Sequence, residues 1–246
     1  MEAYKDDLAH IHDAGFGDFA KNAAPGLIEM LRKAGIASGL VVDLGCGSGL
    51  WARELASEGY DVLGIDISES MINIARTRVP QGNFQIRSLL KSQFPQCEAV
   101  TSLGECLNYL FDKDNSTTQL RRLFQRVFAA LKPGGLFIFD IAEPGRGKGP
   151  PQKHREGPGW AVLVDVEENT DTNRLTRRIT SFRKVGSHFR RDEEVHQLQL
   201  YKRSEIAKEL RAAGFRVRTL RSYGRQPMFD GCVAFMARKP AKSHQV

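Results

Sequence analysis

Nowhere in its 246 residues does the chain hold the run of about 20 apolar residues that a membrane-spanning helix needs. The segment Met1–His10 also lacks the basic-then-apolar order of a secretory leader, so the sequence predicts a cytoplasmic protein without a membrane partner. Cysteine is scarce and scattered. Cys46, Cys97, Cys106 and Cys232 form no C-x-x-C pair. That argues against a zinc site and a disulfide framework, suits a reducing compartment, and leads us to expect packed thiols and no metal.

What is present is ordinary for a globular chain: 41% apolar and 26% charged residues, enough for one large domain or one domain carrying an insertion. The net charge of +7 is unevenly placed, with an acidic excess over residues 1–145 and a strong basic excess over 146–225. Such a basic half suits an acidic substrate or nucleic acid, or more plainly a solvated surface of arginine-rich strands.

Strand and helix patterns alternate through the first 142 residues. Pro25 opens a predicted helix with Leu27, Ile28, Leu31 and Ala34 at helical spacing, closed by Gly35. Strands are expected at 40–44, 61–65, 83–86, 99–103 and 136–141, with helices at 50–58, 68–78 and 120–131 between them. The last of these helices ends in a turn, Lys132-Pro133-Gly134-Gly135. Residues 145–159 hold five glycines and three prolines and read as a mobile loop. Three β-like stretches follow at 160–166, 175–183 and 194–201, without helices between them. The chain then returns to a helix at 204–213 and strands at 215–220 and 232–238, and its last eight residues are expected to fray. The rhythm predicts an α/β protein, a doubly wound parallel sheet with an inserted antiparallel β lid. The expected division is an N-terminal flap (1–24), a cofactor-binding domain (25–144 and 202–240) and a β-rich substrate lid (145–201).

The most informative segment is Val41-Val42-Asp43-Leu44-Gly45-Cys46-Gly47-Ser48-Gly49, placed between a strand and a helix. Glycines there let backbone approach a ligand closely, and the helix start offers free N–H groups. The spacing is G-x-G-x-G. Leu50 stands where the G-x-G-x-x-G of dinucleotide binders needs glycine, which disfavours a dehydrogenase. Asp66 ends the second strand, 21 positions after Gly45, where a carboxylate can hold both hydroxyls of a ribose. Its plainer role would be a helix cap, which Ser68 already supplies.

These segments, with Gly64-Ile65-Asp66-Ile67-Ser68 and Leu131-Lys132-Pro133-Gly134-Gly135, resemble the hallmarks of class I S-adenosylmethionine-dependent methyltransferases over about residues 25–142. The resemblance implies a Rossmann-like seven-stranded sheet whose last strand runs antiparallel between the fifth and sixth. It also implies S-adenosylmethionine as methyl donor. By position, Asp43 would hold the amino end of the donor's methionine, Gly45, Cys46, Gly47 and Gly49 would form the loop beneath it, and Asp66 would bind the ribose. Ile67, Met71, Ser88, Leu89 and Leu103 would line the rest of its site. Many members carry an acid after the third strand to meet the adenine amine. Here that place reads Arg87-Ser88-Leu89, leaving Ser88 as the acceptor.

Methyl transfer from a sulfonium is an in-line displacement, helped chiefly by holding the reactants in line, so no triad is required. Glu105, Asn108 and Tyr109, after the fourth strand, are candidates to orient an acceptor. They lie in a G-E-x-L-N-Y stretch similar to that of several small-molecule members of the family. His12, in a glycine-punctuated flap with His10, Phe16 and Phe19, is the candidate general base. His196 reads as lid-lining or packed. The expected activity is methylation of a nitrogen or oxygen on a small molecule by a monomer or homodimer. Nucleic acid is an unlikely substrate, because neither an Asn-Pro-Pro-aromatic segment nor a Pro-Cys nucleophile pair is present. A non-catalytic S-adenosylmethionine-binding protein is the remaining alternative.

Overall fold

The computed structural model describes residues 3–112 and 115–241. Most of the expected frayed end, and the first two residues of the expected flap, lie outside the described residues. Two helices, α1 (Asp6–Gly15) and α2 (Asp18–Lys33), lead into β1 (Gly39–Leu44), α3 (Leu50–Ser57), β2 (Tyr60–Asp66), α4 (Glu69–Arg78), β3 (Asn83–Ile86) and β4 (Cys97–Ser102). A 3₁₀ turn (Cys106–Asn108) precedes α5 (Thr117–Ala130) and β5 (Leu131–Ala142). Four strands follow: β6 (Gln152–Gly157), β7 (Trp160–Asn169), β8 (Arg174–Val185) and β9 (His188–Gln199). The chain closes with α6 (Arg203–Ala212), β10 (Arg216–Leu220), the short pair β11 (Ser222–Tyr223) and β12 (Gln226–Pro227), and β13 (Cys232–Arg238).

Seven strands form one sheet in the order β10-β13-β5-β4-β1-β2-β3. β13 runs antiparallel between β5 and β10, while the remaining pairings are parallel. Strand alternation divides the core between the two faces. Val42, Leu44, Phe137 and Phe139 pack with Phe124 and Val127 of α5 and Leu210 of α6. Val41, Leu136 and Ile138 pack with Leu27 and Leu31 of α2 and Trp51 and Leu55 of α3. Burial on both faces explains why these strands read as continuous apolar runs. The strand order reverses at β1 and β4, and a doubly wound sheet opens its cleft at such a point, beyond the strands' carboxyl ends.

Three expectations need correction. α2 begins at Asp18, so Pro25 lies inside the helix rather than at its start. The tertiary contact outweighs the missing N–H: a side chain on Gly26 would place Cβ 2.5 Å from the backbone of Tyr223 and Gly224, so the helix backbone lies directly on that turn. The Lys132–Gly135 turn is the bulged start of β5, with the register shifting between Cys97↔Leu131 and Ala99↔Leu136. The loop expected at 145–159 contains β6, making the antiparallel sheet four-stranded. Gln152–Gly157 has no apolar residue to betray it. It is an edge strand whose side chains face solvent while its backbone pairs with β7.

Helix α1 is tied to this second sheet. Asp7 is buried and bonded to Arg183 of β8 at 3.1 Å and to Arg190 of β9 at 2.5 Å. The Arg190 hydrogen bond, helped by Arg183, holds its carboxyl below the ordinary range against the cost of burial. Asp7→Asn should cost about 1–2 kcal/mol, because Arg190 is half exposed and the pair is only partly desolvated. Amide exchange in residues 6–15 should quicken. Unchanged exchange would show that Leu8 and Ile11, packed on Trp160, hold the helix alone.

Candidate active site

The cleft at the switch point has a volume of about 160 Å³. It is lined by Gly45 and Gly47 of the loop after β1, by Asp66, Ile67 and Met71 where β2 leads into α4, by Ser88 and Leu89, by Leu103, Gly104, Cys106 and Leu107 after β4, and by Tyr4 and His12. Of the expected residues, Asp43, Cys46, Gly49, Glu105 and Asn108 do not line it. Asp43 stands behind the lining, two residues before Gly45, and the positions of the other four explain what each does instead.

Gly45 sits at φ +72°, and a Cβ there would fall 2.5 Å from the Cys106 sulfur, so the loop after β1 requires glycine at this close approach. The Gly47 N–H donates to Asp66 at 2.9 Å, as does that of Ser68, so the carboxylate at the end of β2 draws the glycine loop toward it. Burial raises the Asp66 pKa, and those backbone N–H bonds oppose the rise. Asp43 lies beneath the loop and accepts from the Thr101 hydroxyl at 2.8 Å, which in turn accepts from the Trp51 indole at 3.1 Å. Burial, reinforced by nearby Asp66 and only partly offset by Thr101, pushes Asp43 up to about 7. Cys46 is buried behind the loop, and Gly49, at φ +77°, starts α3 against Ala75.

The turn after β4 is built around Asp140, at the end of β5. Asp140 accepts from the Gly104 N–H at 3.0 Å, the Glu105 N–H at 2.7 Å and the Tyr223 hydroxyl at 3.1 Å. These bonds hold Glu105 at φ +63°, a left-handed conformation that costs a non-glycine residue on the order of 1–3 kcal/mol. Burial, only partly countered by these bonds, raises Asp140 to about 6.

Glu105 points away from the cleft into a buried clamp. Arg177 bonds it at 2.8 Å, Arg146 bonds its other oxygen, and the Cys232 thiol donates at 3.1 Å. Burial opposes its charge, but Arg177 and then Arg146 outweigh that and bring its pKa to about 2. The expected acceptor-orienting acid is therefore a fixed anion that seats two arginines. Arg177 also donates to the Tyr109 hydroxyl at 3.0 Å, and Tyr109 meets Tyr4 at 3.2 Å. Asn108 is likewise corrected to a brace. Its amide N–H groups go to the carbonyls of Ala142 and Gln199, at 2.9 and 2.6 Å, and its oxygen accepts the Ala142 N–H. No part of that amide is left for a substrate.

Tyr4, Tyr109 and Phe111 form an aromatic wall that the sequence reading foresaw only through Tyr109 and the aromatic flap. Tyr109 and Phe111 stack 4.7 Å apart, and His196 packs edge-on to Phe111 at 4.9 Å. His196 is packed, bonded through Nε2 to Glu194 at 2.9 Å. Glu194 also accepts the Tyr4 and Lys5 N–H groups, which seats the N-terminal segment on β9. His12 lines the cleft with its Nδ1 buried and without a hydrogen-bond partner. Burial lowers its pKa to about 4, so its imidazole is neutral through the working range.

Residues 41–135 match the family model for a methyltransferase domain. This segment is similar to methyltransferase domains. It holds the glycine loop, Asp66 and the turn after β4, while the four-stranded sheet lies outside it. The ubiquinone biosynthesis O-methyltransferase of Acinetobacter baumannii is 32% identical over 44% of this chain and 46% of its own length. The chain thus spans less than half the length of the curated relatives it matches. Solved structures extend the likeness in fold to nearly the whole chain. An S-adenosylmethionine-dependent methyltransferase from Clostridium acetobutylicum superposes with a TM-score of 0.81 at 19% identity, covering 95% of this chain and 98% of its own. The sugar N-methyltransferase KedS8 from a Streptoalloteichus species gives 0.78 at 19%, covering 98% and 97%. The matched segment therefore sits in a Rossmann-like fold that those structures share over nearly the whole chain.

Proposed function

We propose that the chain transfers a methyl group from S-adenosylmethionine to a nitrogen or oxygen of a small molecule. The observation that carries this reading is the pairing of Gly45–Gly47 with Asp66 along one side of a cleft whose other side is the turn after β4. The residues fit the donor. Two carboxylates, buried Asp43 and half-buried Asp66, stand at adjacent strand ends with hydroxyl and N–H donors and, among the described residues, no cationic side chain bonded to either. A ligand bringing an ammonium, a sulfonium and a ribose diol complements them.

Asp43 is proposed to bind the ammonium end, the glycine loop to pass beneath the methionine, and Asp66 to hold the ribose hydroxyls. Bound there, the donor supplies an electrophilic methyl carbon. Tyr4, Tyr109 and Phe111 then confine the acceptor and exclude water, which favours in-line approach. His12, which lines the cleft, is proposed to take a hydrogen bond, or the departing proton, from the acceptor group. Its low basicity gives little driving force for full proton transfer, so it acts mainly by accepting a hydrogen bond from the acceptor as that proton becomes acidic in the transition state. His12→Ala should then lower kcat by about tenfold for an acceptor that must lose a proton and leave KM for the donor unchanged. An equal loss for all acceptors would mean that His12 only shapes the wall.

N-methylation is named for KedS8 and O-methylation for the ubiquinone relative, so both amines and phenols belong in the acceptor panel, with amino sugars among the amines. Nucleic acid is the poorer candidate. Arg146, Arg177, Arg183 and Arg190 of the basic half are bonded to Glu105 and Asp7 rather than arrayed for phosphates. Calorimetry with S-adenosylmethionine and its demethylated product tests donor binding. Asp66→Ala should weaken it by about 1–3 kcal/mol, and unchanged affinity would remove Asp66 from the site. Incubation with methyl-labelled donor and the panel tests transfer: uptake without transfer to any acceptor would favour a binding protein.

A further inference from the structure

Tyr4 sits at φ +49°, a left-handed conformation that costs a residue with a side chain on the order of 1–3 kcal/mol. Two contacts hold it there. Its N–H donates to Glu194 of β9 at 3.0 Å, and its carbonyl accepts the Ser68 hydroxyl at 2.9 Å. The strained residue lines the cleft, and its hydroxyl meets that of Tyr109 at 3.2 Å.

The protons of this pair can be counted. Arg177 Nη1 donates to the Tyr109 oxygen at 3.0 Å, which occupies one lone pair there. One hydroxyl proton bridges the two tyrosines, whichever of them gives it. The other has no acceptor among the described residues. Burial raises both tyrosines above their ordinary value of 10, so both keep their protons. The pair therefore lines the cleft with one O–H unspent.

The surrounding charges favour the same kind of partner. Arg177 favours negative charge at both hydroxyls, and at Tyr109 more strongly than Glu105 opposes it. Glu105 is held by Arg177 and Arg146, while Glu194 accepts the Tyr4 and Lys5 N–H groups and meets His196. His12 and His196 pack against the Tyr4 ring at 5.2 and 4.8 Å, and burial keeps the nearby Cys106 thiol protonated. An ammonium would meet a guanidinium behind the hydroxyls, with Glu105 and Glu194 already engaged. An oxyanion would meet a donor that the arginine strengthens.

We propose that the Tyr4–Tyr109 pair, backed by Arg177, seats an oxyanion, so that the methylated group is an acidic hydroxyl such as a phenol. The inference rests on the S-adenosylmethionine reading and chooses oxygen over nitrogen within it. The acceptor gives its proton to water on binding. Its oxygen then attacks the methyl carbon as the carbon–sulfur bond breaks and the electron pair returns to sulfur, leaving a neutral ether and a thioether. A hydrogen bond from a neutral hydroxyl occupies one lone pair of the oxyanion and leaves the others for in-line attack. Such an acceptor draws on no base, which confines the role of His12 to acceptors that keep their proton.

The test is spectrophotometric. The full chain, saturated with S-adenosylhomocysteine, is titrated with 4-nitrophenol, whose ionised form is yellow, and with 4-nitroaniline as an uncharged match in shape. The bound phenol should ionise about 1 pH unit below the free one. Its affinity at pH 7 should exceed that of the aniline about tenfold. Tyr4→Phe and Tyr109→Phe keep the rings. Each should lower phenol affinity about tenfold, erase most of the change in its ionisation, and leave the aniline and S-adenosylhomocysteine within about twofold. Equal weakening of both probes would give the tyrosines only a packing role and overturn the proposal. A phenol that is not taken up, or that binds with its free ionisation, would overturn it too, with the donor reading kept by the uptake of S-adenosylhomocysteine. If S-adenosylhomocysteine itself were not bound, both would fall.

Discussion

Glu105→Ala should destabilise the fold by about 3–5 kcal/mol, read as the shift in a urea unfolding curve. The size follows from what would be left behind. Arg146 and Arg177 have side chains only 17% exposed and are both directed at this one carboxylate. Without it, two guanidinium charges remain in a poorly solvated place, and removing one partner of a buried pair costs far more than the pair gains. Alanine keeps the Cβ, so the strain at φ +63° remains and offsets none of this. The damage should spread in a specific direction, since Arg177 also positions Tyr109 and, through it, Tyr4. Acceptor KM should therefore rise more than donor affinity falls. Glu105→Gln, neutral but still able to accept hydrogen bonds, should lose less. The sign with pH follows from the depressed pKa. The contribution of Glu105 is complete above its ordinary value of 4.5 and is lost as pH falls toward about 2. A loss below 1 kcal/mol for the alanine variant would mean that the arginines reach water unaided.

That clamp also shows where sequence reading stops. The basic excess of residues 146–225 is visible in composition, and it suggested either an acidic partner or a solvated surface. Part of it proves to be answered internally: Arg146 and Arg177 meet Glu105, while Arg183 and Arg190 meet Asp7. Composition carries sign and amount, but not which distant acid a lid arginine will face.

The sheet, by contrast, was legible almost strand by strand. Residues such as Val41–Leu44 and Leu136–Ile141 are buried on both faces, and that environment writes itself into the chain as apolar runs, each broken only by one aspartate. β6 had no such imprint, because an exposed edge strand is held by its backbone. Asn108 misled for a related reason. A polar residue in a motif-like stretch invites a substrate role, yet here the nearest unsatisfied groups were backbone atoms of Ala142 and Gln199.

Donor affinity should fall about tenfold for each pH unit below about 7, and Asp43→Asn should flatten that limb. In the ligand-free protein, burial and the neighbouring Asp66 keep Asp43 protonated up to about 7. An incoming ammonium needs the carboxylate ionised, so binding below pH 7 must expel a proton. Calorimetry at pH 6 in buffers of different ionisation enthalpy should count nearly one proton released by the native protein and none attributable to this site in the variant. Above about 8 the ligand's own amine begins to deprotonate, so the best affinity falls between the two values. The same shift has the opposite consequence for the empty fold. A carboxyl whose folded pKa is raised binds its proton more tightly in the native state, so stability declines as pH climbs from the ordinary value of 3.8 to about 7. Asp43→Asn should accordingly be more stable than the native chain at pH 8 without ligand and bind the donor about tenfold or more weakly. That trade is what a carboxylate kept buried for a cation would produce; affinity that stays constant from pH 5 to pH 8 would show that no ligand cation meets it.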